Sequence, residues 1–314
     1  MESKTLKIMA KEKLYPVGVQ TFSDIIEEGM VYVDKTALIY NMVKKYKYVF
    51  LSRPRRFGKS LLSSTLRSYF EGKKELFNGL AIGNMEKEWI ERPVLHFDLS
   101  TFKNCELSLF PEKFDMQLRR FEQRFGIENT KKSAGNRLTQ LIEQAEAKTG
   151  RKVVVIIDEY DAPLLDVLHE EKKLKTVRTI MQEFYAPIKA NSSHIHFAFI
   201  TGITKFSQLS IFSTINNLAN ISMDPEFSTI CGITKEELDT ILKEDIALLA
   251  SRNHASLEKM RELLRENYDG YHFSREGEDI FNPYSLMRSF AAGFIDNYWY
   301  ASGTSTYLIH QLQY

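Results

Sequence analysis

The sequence predicts a three-layer α/β sandwich around a mainly parallel sheet, followed by a small helical, winged-helix-like domain. Three observations predict it. Apolar runs of strand length alternate with segments of helical period. Several of those runs are apolar throughout, as strands covered on both faces must be. They also end directly on polar residues, at the edge where parallel α/β sheets bind their ligands. With 43% hydrophobic and 26% charged residues, the composition is globular and excludes a disordered, collagen-like or coiled-coil chain. At roughly 150 residues per domain, 314 residues leave room for two folding units. A change of texture near residue 228 divides them, into expected domains 1–228 and 229–314.

In chain order, Met30 to Val33 reads as a short strand and Ala37 to Lys45 as an amphipathic helix, with Leu38, Ile39, Met42 and Val43 on one face. Tyr48 to Leu51 is a buried-strand pattern running into Ser52-Arg53-Pro54. A helical pattern follows from Ser60 to Phe70, with Gly72 as its stop. Pro93 to Asp98 is a second buried strand. Pro111 to Lys148 permits helix, with breaks expected at Gly126 and near Gly135. Val153 to Ile157 has the strongest strand character and ends on Asp158-Glu159. Ile195 to Ile200 ends on Thr201-Gly202, and Ala219 to Met223 is a weaker strand. Beyond 228, Thr234 to Glu237 fits a capping box for a helix to about Ala250, and Ser256 caps another to about Asn267. Tyr271 to Phe273 and Ile280-Phe281 can pair as a hairpin. Asn282-Pro283 then opens a helix through Phe294.

Forty-two basic residues against 41 acidic ones give a net charge of +1, which excludes a globally basic nucleic-acid coat. Cys105 and Cys231 are too few for a disulfide framework or a cysteine zinc site. The Lys-rich start lacks the apolar core of a secretory signal. Apolar runs such as Val153 to Ile157 fall far short of the ~20 residues a spanning helix needs. A cytoplasmic protein with no membrane partner is expected.

The most informative stretch is Leu51 to Ser60. Gly58-Lys59-Ser60 stands between a strand and a helix, as in a phosphate-binding P-loop, but Arg53 holds the first glycine position. Gly-Lys-Ser also occurs in ordinary basic turns; the strand–loop–helix context favours the phosphate loop and a P-loop NTPase sandwich. The ligand-binding run is then Arg55, Arg56, Phe57, Gly58, Lys59, Ser60 and Leu61. Amides of the loop and first helical turn would cradle phosphate oxygens. Lys59 would reach the β- and γ-phosphates, and Ser60 would ligate Mg²⁺. An arginine at a position requiring positive φ would be costly.

Val153 to Glu159 delivers two carboxylates to the same sheet edge. Asp158 would hold Mg²⁺ and Glu159 would act as general base on the attacking water. Taken alone, these residues with Asp161 also fit an acidic strand-end turn. Thr201 and Thr204 are candidates for sensing the γ-phosphate or the lytic water, or else simply end a strand.

Taken together, these segments make the chain resemble the AAA-ATPase-like family of bacterial proteins, many of which carry a PD-(D/E)XK nuclease-like domain after the ATPase. The resemblance extends over essentially the whole chain. It rests on Tyr32-Val-Asp-Lys-Thr36, Phe50 to Ser60, Ile157-Asp-Glu-Tyr-Asp161, Phe199 to Ser207, Asn267 to Phe273 and Phe281-Asn-Pro-Tyr-Ser285. Arg53 in place of the first glycine belongs to the family pattern. The resemblance implies ATP with Mg²⁺ as ligand, hydrolysis, and a sensing strand between the loop strand and the Asp158 strand. The choice of ATP over GTP comes from it alone. The resemblance implies that in longer relatives the nuclease-like domain follows Tyr298 to Thr306, soon after which this chain ends. No acidic-x-Lys pair follows a strand-borne Asp to build such a nuclease, so no nuclease activity is expected and the chain is read as a natural short form or a truncation.

Between Met42 and Ser60 stand seven basic residues and no acidic one. They can form a solvated rim around the phosphate pocket, or touch nucleotide, a second subunit or nucleic acid. His194 and His196, without a third ligand, do not make a metal site, and His272 reads as hairpin packing. The expected function is a Mg²⁺-dependent ATPase acting as switch or motor for a partner domain, with a partner protein or homo-oligomer possible and nucleic acid unsupported. The alternatives are a non-hydrolysing nucleotide-dependent interaction module and a DNA-binding component acting through the C-terminal domain. The mixed charge of that domain favours a nucleotide lid.

Overall fold

The computed structural model describes residues 13–204 and 218–298. The end of the expected Phe199 to Ser207 motif, from Lys205, and the run from Trp299 lie outside the described residues. Helices α1 (Phe22–Glu27) and α2 (Thr36–Lys45) precede strand β1 (Tyr48–Ser52). Helices α3 (Lys59–Phe70) and α4 (Ala81–Met85) lead to β2 (Val94–Asp98), and α5 (Phe110–Phe125) and α6 (Ala134–Thr149) to β3 (Val153–Asp158). Helices α7 (Ala162–Leu165) and α8 (Glu171–Ala190) lead to β4 (Ile195–Gly202), and β5 (Ala219–Asn220) completes the strands. Among the described residues four helices follow: α9 (Lys235–Thr240), α10 (Lys243–Arg252), α11 (Leu257–Tyr268) and α12 (Pro283–Ala292).

The strands form one sheet in the order β2-β3-β4-β1-β5, with every neighbouring pair parallel. β4 lies between β1 and β3, as the family resemblance implied. Alternating side chains divide the apolar residues between the two faces. Phe50, Phe97, Val155 and Ile157 face α5, α6 and α8. Val49, Leu51, Val154 and Ile156 face the layer of α1, α2 and α3. A third core joins Val31 to α9–α12, through Leu242, Ile246, Leu264, Leu286 and Phe290.

Several local expectations change. Met30 to Val33 is extended but joins no ladder; its Val31 N–H donates to the Leu14 carbonyl at 2.8 Å. Gly126 does end α5 in a left-handed conformation, whereas Gly135 lies inside the first turn of α6. A Cβ at Gly135 would stand 2.5 Å from the Glu183 carbonyl oxygen, so this glycine marks a close approach of α6 to α8. The Thr234 capping box forms as expected, but its helix breaks at Ile241-Leu242. The break turns Leu242 inward beside Ile246 and Leu249. The expected hairpin shrinks to single antiparallel bridges, Tyr271 with Ile280 and Ile233 with Phe281. Asn282 caps α12 by accepting the Ser285 N–H at 2.9 Å, and Gly293 ends that helix.

Candidate functional site

The loop from β1 to α3 is shaped by two left-handed residues, Arg56 at φ 67° and Gly58 at φ 84°. A Cβ at Gly58 would meet nothing within 4 Å, so glycine is required there by its backbone conformation and not by crowding. Arg53 does not take a positive φ; the left-handed turn falls at Arg56 instead. Its side chain is buried at 1% exposure and turned away from the loop. Nη1 donates to the carbonyls of Ser52 and Ser222 at 2.9 and 2.8 Å, and Nη2 to those of Phe227 and Ser228 at 3.2 and 3.3 Å. The guanidinium lies 4.1 Å from the centre of the Phe273 ring. Burial without a carboxylate partner holds its pKa down at about 10.

The next loop side chains anchor in the same direction. Phe57 is fully buried, edge-on to Tyr271 at 4.5 Å and to Phe273 at 5.3 Å between ring centres. Arg56 stacks on Tyr284 at 4.7 Å. The loop from β1 to α3 is therefore mounted on residues 222–228, 271–273 and 284, which the sequence places in another region of the chain.

Lys59 is buried, and its ammonium donates to the Pro54 carbonyl at 3.0 Å. Burial lowers its pKa, against the opposing pull of Asp158, Glu159 and Asp161. Burial pushes the Asp158 carboxyl up to about 6, although a hydrogen bond with Ser60 and the charge of Lys59 oppose it. A buried carboxylate joined to a hydroxyl is a hard-oxygen donor pair of the kind that suits a divalent cation such as Mg²⁺. Glu159 takes a left-handed φ of 51°, an uncommon conformation for a non-glycine residue, and stands half-buried on the cleft wall.

Thr201 and Thr204 are placed differently from the other candidates. The Thr201 hydroxyl is buried and donates to the Leu51 carbonyl at 2.8 Å, joining β4 to β1. The Thr204 hydroxyl donates to Asp161 Oδ2 at 2.7 Å and lies 3.0 Å from the Tyr160 hydroxyl. Neither residue lines the cleft. Asp161, which the sequence offered only as part of an acidic turn, is fully buried, and its Oδ2 also accepts the N–H groups of Ile203 and Thr204 at 2.9 and 2.6 Å. It latches the turn after β3 to the turn after β4. A Cβ at Gly202 would come within 2.5 Å of Asp161 Oδ1, which is why glycine follows Thr201.

Arg55 to Leu61, together with Glu159, border a cleft of about 490 Å³, in the ~300–1,000 Å³ range of small-molecule sites. Part of it is lined by Asp98, Ser100 and Lys103, from the end of β2 and the turn after it. Another part is lined by Val19 and Gln20 and by Ile233, Pro283, Tyr284 and Met287. Sequence reasoning missed these two parts. For the first a signal existed: Asp98 terminates an apolar strand as Asp158 does, and the two are partners in the ladder. For the second there was none, because its walls are brought together only by folding.

A family model described as Predicted AAA-ATPase matches residues 16–212. The chain is also 36% identical over 306 residues to a protein of Azotobacter chroococcum mcd 1 described as an uncharacterized protein in the vnfD 5′ region. That alignment takes in 97% of this chain, which spans 57% of the length of the curated relative.

Proposed function

The chain belongs to the predicted AAA-ATPase family, and from that premise we propose that it binds Mg²⁺–ATP in the 490 Å³ cleft and hydrolyses it to ADP and phosphate. The observation that carries this reading is the meeting of Lys59 and Ser60, after β1, with Asp158 and Glu159, at the end of β3, beside one cleft. Loop amides and Lys59 bind the phosphates; Lys59 exchanges the Pro54 carbonyl for phosphate oxygens. Ser60 and Asp158 hold Mg²⁺, which neutralises charge on the triphosphate. Glu159 accepts a proton from water as the water oxygen attacks the γ-phosphorus, and the bond to the β–γ bridging oxygen breaks. Thr201 and Thr204 are positioning residues: their hydroxyls hold the turn after β4 against β1 and Asp161.

On this reading the ATPase domain is 1–228 and the helical region 229–314 is its lid, which closes over the nucleoside through Ile233, Pro283 and Met287. Turnover then drives a switch or motor acting on a partner, in the cytoplasm where ATP is available. Among the described residues no helix is long and apolar enough to cross a membrane.

Titration with Mg²⁺–ATP followed by phosphate release tests the proposal. Wild type and Glu159→Gln should both bind, with release reduced about 100-fold or more in the variant. Lys59→Ala should weaken binding at least ~10-fold, since it removes a charged phosphate contact. Equal release from all three proteins would overturn the reading. Binding without release in wild type would favour a nucleotide-dependent interaction module.

A further inference from the structure

We infer that Lys103 is a second phosphate-binding cation of this site, meeting the terminal phosphate of the bound triphosphate from the turn after β2. The inference rests on the hydrolytic reading above and adds a residue to it. β2 is the neighbour of β3, with Asp98 in register with Asp158, so the turn that leaves β2 emerges beside the proposed metal and base residues. Asp98, Ser100 and Lys103 from that turn border the same cleft as Lys59, Ser60 and Glu159.

The turn is built to hold its shape. Leu99 and Phe102 are buried, and Asp98 Oδ1 accepts the Ser100 N–H at 2.9 Å. The Lys103 N–H donates to the Ser100 carbonyl at 3.1 Å, and Gln117 Nε2 to the Asp98 carbonyl at 2.8 Å. Asn104 is left-handed at φ 54°, with its N–H bonded to the Asp166 carboxylate just beyond α7. Lys103 is thus carried between two fixed points, Phe102 and Asn104.

Its ammonium, in contrast, has no partner among the described residues. The nearby Asp98 carboxylate is turned back onto the Ser100 amide. Three other cations on the cleft wall are engaged: Lys59 with the Pro54 carbonyl, Lys35 with both Glu237 carboxylate oxygens, and Arg56 with Tyr284. Arg55 is the other unpaired one, but it sits on the phosphate loop itself. Among the described residues, Lys103 is the unpaired cation that lines the cleft from outside the β1–α3 loop. A cation carried there on a fixed backbone stabilises the charge that builds on the phosphoryl oxygens during transfer.

The test uses the full chain as wild type, Lys103→Ala and Lys103→Arg, with Mg²⁺–ADP and Mg²⁺–ATPγS as probes and phosphate release from ATP as readout. Lys103 is exposed, so both variants should keep the wild-type melting temperature. Lys103→Ala should bind ADP within about twofold of wild type, ATPγS about tenfold more weakly, and release phosphate at least ~30-fold more slowly. Lys103→Arg should recover most of the rate. Equal weakening of both nucleotides, or of neither, overturns the inference. If wild type binds both probes without turnover, the ATPγS-to-ADP ratio still decides the contact. Wild type binding neither probe overturns the hydrolytic reading and this inference together. A Lys103→Ala protein that matches an active wild type in both binding and rate removes only the role of Lys103.

Discussion

Arg53 shows how one residue can occupy a phosphate-loop position while serving a different purpose. Its guanidinium reaches four backbone carbonyls and one ring face, all on the side away from the cleft. A cation buried in this way is stable only because those dipoles replace its water. Arg53→Ala should therefore cost about 3 kcal/mol or more of stability, since it strands buried carbonyls and opens a cavity. Below its melting temperature the variant should keep nucleotide affinity close to wild type. Lys59→Ala should do the reverse, holding stability while losing affinity. Thermal denaturation and nucleotide titration of both variants check the contrast. An Arg53→Ala protein of normal stability that no longer binds would mean that the guanidinium serves the phosphates.

At the scale of elements, the sheet contains acid-sensitive groups. Burial, with Arg67 nearby, lowers His96 on β2 to about 4. It is neutral in the folded chain at pH 6, whereas an unfolded histidine takes up a proton from about pH 6.5 downward. The unfolded state binds more protons as the pH falls, so this stability is complete above pH 6.5 and is lost progressively toward pH 4. Glu86 extends the loss. Burial alone would raise its carboxyl, but the Tyr69 hydroxyl, the Lys44 ammonium and the amides of Glu88 and Lys87 bring it down to about 2. Its contribution is complete above pH 4.5 and disappears toward pH 2. The His96 contribution to the melting temperature should be flat between pH 8 and 7 and fall from 6.5 to 4, against an opposite drift from Asp158, whose folded carboxyl takes up its proton near pH 6 and so gains stability as the pH falls. His96→Leu should flatten part of that fall. An unchanged slope would show that His96 does not take up the proton.

At the scale of the whole molecule, the cleft is a seam between three parts of the chain. The segment before α1 is tied to the C-terminal helices by Lys13 and Tyr15, both 2.5 Å from the Asp245 carboxylate, and Lys35 bonds to Glu237 on α9 at 2.5 Å. The phosphate loop is fixed to the same side through Phe57 and Arg56. A nucleotide in the cleft touches all three parts and should act as a strut between them. Mg²⁺–ADP at 100 times its dissociation constant should add about 2.7 kcal/mol, which raises the melting temperature by several degrees. Chelating the metal should remove part of the shift. A melting temperature indifferent to nucleotide would mean that the cleft is not its site.

The local parts of this design were legible in the residues. Strand, loop and helix around Gly58-Lys59-Ser60, the apolar strand ending on Asp158-Glu159, and the caps at Thr234, Ser256 and Asn282 depend on neighbours a few positions apart. Side-chain period, glycine conformation and capping chemistry act over that range. Of the residues that complete the cleft, Asp98 alone carried a sequence signal, as the polar end of an apolar strand. Asp98 and Lys103 join the site because β2 pairs with β3, and Tyr284 and Met287 join it because α12 folds back over the loop. The sequence places Arg53 at the first glycine position, but only the fold supplies its partners at Ser222, Phe227 and Ser228. Contacts between residues so far apart in the chain leave no periodic trace, because the surface that each buries against is supplied by a distant stretch of sequence.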